Sequence, residues 1–169
     1  MAENNQIIND LLDTEQEDTM EGKFLIFRIA GEEYGIPIRN VTEIIGVQSV
    51  TDLPGTPPYV KGVINLRGKV IPVIDVRIRF SMEERDYDDR TCIIVVNIKE
   101  IKVGLIVDSV SEVLDIPAND IEPPPKVSQG AGTFYIQGLG KVDNAVKILL
   151  DTQKLLFEDE LAQLEEVIG

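Results

Sequence analysis

Residues 24–47 read FLIFRIAGEEYGIPIRNVTEIIGV and residues 93–116 read IIVVNIKEIKVGLIVDSVSEVLDI; laid on one another without a gap, they keep one apolar pattern. Gly35 falls on Gly104, Ile38 on Val107, Val41 on Val110, Glu43 on Glu112 and Ile45 on Leu114. Agreement of glycine, acid and apolar positions over such a length marks an internal duplication. Each copy opens with an apolar run, crosses a polar turn at Gly31-Glu32-Glu33 or Lys99-Glu100, and returns as a second run, the pattern of a β-hairpin. Val41, Ile44 and Ile45, with Asn40 as a cap, predict one or two helical turns after the first hairpin, while SVSEVLDI (109–116) fits helix or strand.

The repetition extends outward. Proline-rich stretches follow both copies, LPGTPP at 53–58 and EPPP at 122–125. GKVIPVID from Gly68 then has a looser echo, with an insertion, in GKVDNAVKILLD from Gly140, an alignment that sets Leu139 opposite Arg67. Short strands bounded by Gly and Pro favour small closed barrels, since closure removes the exposed edges that invite aggregation. The expected fold is therefore mainly β, with two packed five-stranded β-barrels. Residues 1–22 hold many acids and no Lys or Arg and read as a flexible arm, although Ile7, Ile8, Leu11 and Leu12 sit at helical spacing. At the other end, Phe157, Leu161, Leu164 and Ile168 predict an amphipathic helix within 152–168.

Composition narrows function by exclusion. With 43% hydrophobic residues but only 5% aromatic and no Trp, the core of this 169-residue chain must rest on Val, Ile and Leu, and stacking platforms for bases are scarce. A net charge of -14 repels phosphate backbones and anionic membranes, so neither nucleic acid nor membrane insertion is expected and a basic protein patch is the better partner. The absence of histidine removes Ser-His-Asp and Cys-His nucleophiles, imidazole metal sites and a phosphohistidine relay. No apolar signal region and no long apolar span occur, and Cys92 has no disulfide partner, which together suggest a cytoplasmic protein.

Individual motifs carry little catalytic chemistry. GAGTFYIQGLGK (130–141) meets neither the P-loop nor the dinucleotide spacing, and its glycines read as turns and bulges. MEERDYDDR (82–90) alternates acids like a calcium loop but lacks the required glycine and final glutamate, so it reads as a solvated loop. Asp75 and Asp108 end apolar strands and are expected to serve turns or barrel ends, and Cys92 reads as a small buried side chain. Arg67 stands apart. Flanked by Leu66 and Val70, it can lay its stem on apolar surface while its planar fork faces a carboxylate, either of a partner or of this chain, Glu43 included.

At EEYGIPI (32–38), VTEII (41–45), VKGVINLRGKVIPVIDVRIRF (60–80), TCIIVVN (91–97) and VGLIVDSVSEVL (103–114), the sequence resembles the CheW-like family of bacterial chemotaxis coupling proteins, from about Phe24 to the terminal helix. The resemblance implies two SH3-like barrels related by a pseudo-two-fold within 23–169, one subdomain made of 24–47 with 133–151 and the other of 60–120. It implies a non-enzymatic adaptor, without cofactor or metal, that joins the regulatory domain of the histidine kinase CheA to the cytoplasmic tips of methyl-accepting chemoreceptors in membrane-associated arrays. An alternative is a free-standing regulatory module of another two-component kinase pathway. Carried over by position, Arg67 and Glu43 belong to the coupling surface and Gly62 precedes its hairpin. Val41 and Val113 match apolar positions associated with receptor contact, and Cys92 stands where the better-known family sequence has valine.

Overall fold

The computed structural model describes residues 5–9, 21–124 and 134–156. The first strand of each copy is apolar on both faces because alternate residues enter different cores. In β1 (Lys23–Ile29), Leu25, Phe27 and Ile29 enter a large central cluster while Phe24 and Ile26 enter a smaller one. In β6 (Cys92–Ile98), Cys92, Ile94, Val96 and Ile98 join the same central cluster, and Ile93 and Val95 join a third. A period of two with both faces buried therefore writes a nearly continuous apolar run in each copy.

The remaining strands are β2 (Glu32–Pro37), β3 (Val41–Gly46), β4 (Val60–Leu66), β5 (Lys69–Asp75), β7 (Ile101–Val107), β8 (Ser109–Asp115), β9 (Ile121–Glu122), β10 (Ile136–Val142) and β11 (Ala145–Leu150). They form a six-stranded sheet, β8-β1-β2-β11-β10-β9, and a five-stranded sheet, β3-β6-β7-β5-β4. This mainly β, two-sheet packing fits SH3-like units. Strand order is open in both sheets, but Thr51 exchanges backbone bonds of 2.8 and 2.9 Å with Val63 of β4 and so draws the chain leaving β3 across to the opposite edge. In the other sheet β9 adds to β10 at Leu139 and Gly140.

The duplication is visible in space, with one exchange. Hairpin β1–β2 pairs with β8 on one side and, in parallel, with β11 on the other; hairpin β6–β7 pairs with β3 and, in parallel, with β5. Gly35 and Gly104 lie in these parallel pairings, opposite Leu149 and Val73, and a Cβ would meet Leu149 Cδ2 at 2.9 Å or Val73 Cγ1 at 2.7 Å. Each copy thus gives its third strand to the other copy's sheet. Residues 41–46 leave the expected 24–47 unit, and residues 109–115 leave the expected 60–120 unit.

Two expectations of local structure change. Residues 41–46 are a strand, not a helix; the helical turn falls earlier, as a 3-10 turn at Ile38–Asn40 with Ile38 buried, and redirects the chain between sheets. The β-branched Val41, Thr42, Ile44 and Ile45 suit a strand once the edge of β6 is available. The ambiguous SVSEVLDI resolves into β8 and its continuation.

The second hairpin also has a different register from the one its GKV echo suggests. Leu66 pairs with Lys69 and Val142 with Ala145, so the two-residue turns Arg67-Gly68 and Asp143-Asn144 correspond, all four residues having positive φ. Register shifts follow Val60/Gly62 and Ile136/Gly138, and the backbone bonds Asp75 N to Tyr59 O and Asp151 N to Tyr135 O match in turn. Both aspartates cap the turn that follows, at Val76–Arg79 and Thr152–Lys154. The counterpart of Arg67 is therefore Asp143, not Leu139. Residues 157–168 of the expected terminal helix lie outside the described residues. Of the arm, residues 5–9 are helical and docked, with Ile8 only 3% exposed in the central core.

Candidate functional site

The tip of hairpin β4–β5 is built locally. Arg67 and Gly68 have φ of 52° and 84°, the mirror-image two-residue turn that matches strand twist, and Asn65 Oδ1 accepts a 2.9 Å bond from Gly68 N. A left-handed conformation is costly for an arginine, and here it aims the side chain back across the sheet. Glu43 waits on β3, the other edge strand, where a register shift between Val41 and Glu43 interrupts the pairing with β6. Arg67 Nη1 and Nη2 donate to Glu43 Oε1 and Oε2 at 2.5 and 2.8 Å, a planar fork on a carboxylate.

The two partners differ in accessibility: 75% of the Arg67 side chain is exposed but only 14% of Glu43. An ion pair so open to water adds about 0–1 kcal/mol to stability, so folding alone gives little reason for it. Around it, Val47 and Val70 are exposed, while Ile45, Val50 and Leu66 pack on the small core beneath. Gly62 sets this surface in place. Its φ of 145° and the crossing chain leave no room for a side chain, because a Cβ would collide with Thr51 O. Gly62 thus fixes the start of β4 against the crossing chain, and Arg67 follows the far end of the same strand.

The other sequence-derived positions lie elsewhere. Val41 and Cys92 are buried in the central core, at 6% and 2% exposure, and Val113 packs against it half-buried. They line the seam between the sheets rather than the Arg67 surface. Burial pushes the Cys92 thiol above its ordinary pKa; the thiol donates to Arg90 O at 3.2 Å and accepts from Asn5 Nδ2 at 3.7 Å.

Several anchors escaped sequence reading. Arg77 donates from Nε and Nη2 to Asp108 at 2.8 and 2.6 Å, and Asp108 Oδ2 also accepts from Ala30 N at 2.8 Å and from Arg85 at 3.4 Å. Burial works against the Asp108 carboxylate, but these donors prevail and hold its pKa below the usual value. Tyr87 donates to the buried Asp75 at 2.8 Å, so the 82–90 segment is pinned to the fold at Arg85 and Tyr87 instead of being a merely solvated loop. Asp75 and Asp108 do serve strand ends. Arg79 stacks over Tyr59 at 4.2 Å and Tyr135 at 5.3 Å, and its Nε donates to Leu155 O. The repeated YVKG (59–62) and YIQG (135–138) were the available signal for that pairing. Among the described residues no cluster of acids and cysteine is suited to a metal, and no helix is long and apolar enough to cross a membrane.

Residues 23–160 match the family model of the CheW-like domain. The chain belongs to the CheW-like family. It is 42% identical over 150 residues to chemotaxis protein CheW of Klebsiella aerogenes, covering 89% of this chain and 90% of the relative. Against chemotaxis protein CheW of Bacillus subtilis the identity is 37%, over 79% of this chain and 86% of the relative. The crystal structure of the scaffolding protein TtCheW from Thermoanaerobacter tengcongensis superposes with a TM-score of 0.75 at 42% identity, covering 79% of this chain and 91% of that one.

Proposed function

We propose that this CheW-like protein is a non-catalytic chemotaxis adaptor that couples the regulatory domain of the histidine kinase CheA to the cytoplasmic tips of methyl-accepting chemoreceptors. The observation that carries the reading is the Arg67–Glu43 pair: a guanidinium 75% exposed at a hairpin tip and oriented by a bidentate carboxylate. Arginine is among the residue types enriched at the energetic centres of interfaces. In this account the Arg67 surface, seated by Gly62, takes the kinase domain, while the seam marked by Val41, Cys92 and Val113 takes a receptor helix, apolar face inward.

Holding kinase and receptor on one small body raises their effective concentration for each other without any chemical step. A receptor rearrangement then alters kinase output only so far as it changes these contacts differentially between kinase states. Recruitment to membrane-associated receptor arrays follows from the receptor contact. Sedimentation of the protein with a CheA regulatory domain and a receptor cytoplasmic fragment tests the reading. A ternary complex is expected, and absence of binding to either component at high micromolar concentration would contradict it.

A further inference from the structure

The segment formed by residues 5–9 meets the folded body through Ile8, Asn9 and Asn5, among others. Ile8 inserts into the central core. Asn9 places its side-chain amide against the outer edge of β3, donating to Ile44 O at 3.0 Å and accepting from Ile44 N at 2.9 Å, so that one carboxamide closes the two bonds a neighbouring strand would make. Asn5 donates to Cys92 Sγ. Edge strand, apolar recess and thiol thus form one site that reads an apolar residue followed by a side-chain amide.

The occupant is weakly held. Among the described residues docking rests on one apolar anchor, for Ile7 is 62% exposed, and it buries Asn5 Oδ1 without a hydrogen-bond partner, which counts against the docked state. We propose that residues 5–9 are a reversible intramolecular cover over the Ile44–Cys92 site, displaced when a receptor helix carrying an apolar-Asn or apolar-Gln pair takes that site. The displacement half of this proposal rests on the adaptor reading above; the cover itself does not. Cover and receptor then compete, and the arm sets the threshold for engagement. Its contact with the core thiol is the bond from Asn5 Nδ2 to Cys92 Sγ.

Cys92 is the chain's single cysteine, so its reactivity reports the cover directly. In the full-length protein, the labelling rate with a small disulfide reagent is compared between the unaltered chain and the Ile8→Ala/Asn9→Ala double variant, with Ile7→Ala as control. The double variant is expected to label about tenfold faster or more, since a buried isoleucine and two backbone bonds are lost, while Ile7→Ala leaves the rate unchanged. In the unaltered protein, labelling is expected at denaturant concentrations far below global unfolding, a test that stands even if the double variant fails to fold. Labelling only through global unfolding, or an equal rate in a folded double variant, would overturn the cover. Binding of a receptor cytoplasmic fragment to the same two proteins is then measured by calorimetry. Tighter binding to the double variant supports displacement, and equal binding overturns it. Absence of receptor binding in both overturns the adaptor reading and the displacement with it, whereas the labelling result still decides the cover.

Discussion

The hairpins β4–β5 and β10–β11 occupy corresponding places in the two halves of the molecule and share nearly all their framework. Each begins with Tyr-x-x-Gly, shifts register at that glycine, turns through two residues of positive φ and ends in an aspartate that caps the next turn. They differ at the tip, where one carries Arg67-Gly68 locked to Glu43 and the other Asp143-Asn144. Positions common to both halves build the fold, and the position that departs from the duplication is where a partner-specific role has room to appear. The hairpins within each copy show the same divergence. The β1–β2 turn is held by the Arg77–Asp108 ion pair at Ala30 N, while the β6–β7 turn is held by neutral Gln153, which bonds Asn97 O at 3.1 Å and Lys99 N at 3.0 Å.

The largest expected effect comes from breaking the shared framework where its two versions are least alike in tolerance. Gly62→Ala forces a side chain into the left-handed region and onto Thr51 O, and should cost about 3 kcal/mol in denaturant unfolding. Gly138→Ala meets chiefly the side chain of Ile121 and should cost about 1 kcal/mol. Next, Arg67→Ala should weaken binding to the kinase regulatory domain by about 2 kcal/mol or more while leaving the melting temperature nearly unchanged, because the anchor is exposed.

Acid sharpens the contrast between the hairpin turns. The folded-state pKa of Asp108 is depressed, so its stabilisation is present above the ordinary aspartate value near ~3.9 and is lost as pH falls through the lower folded value. Asp108→Asn should therefore cost about 1.5 kcal/mol at pH 6, by loss of a partly buried pair, and the gap should close in strong acid. Gln153→Ala should cost about 1 kcal/mol with no such pH dependence, as read by unfolding at several pH values. Smallest of all, Asp143→Asn, which keeps a residue type suited to the left-handed turn, should change both kinase binding and stability by less than about 0.5 kcal/mol.

Much of this architecture was legible in the sequence because glycines, acids and apolar residues recur at constant offset: Gly35 with Gly104 and Glu43 with Glu112 mark the two copies. The exchange of β3 and β8 was not, since Val41–Gly46 looks alike whether it completes its own hairpin or another's, and only non-local pairing with β6 decides. The register of the second hairpin was misread for a comparable reason: the GKV triplets at 68–70 and 140–142 attracted the alignment, while the spaced signature of Tyr59, Gly62 and Asp75 against Tyr135, Gly138 and Asp151 carried the true one. Within the site, the Arg67–Glu43 pair was foreseeable from side-chain chemistry. The burial of Val41 and Cys92, and the docking of Ile8 and Asn9 onto β3, depend on how the sheets face each other, which local patterns do not encode.

The central claim is that Arg67 is present for a partner and not for the fold. Its most direct test is calorimetric titration of a CheA regulatory domain into the unaltered protein, Arg67→Ala and Asp143→Asn, with a thermal melt of each. The account predicts affinity at least about tenfold weaker for Arg67→Ala alone, with all three melting at nearly the same temperature. Unchanged affinity for Arg67→Ala, or a loss of folding stability with binding intact, would contradict it.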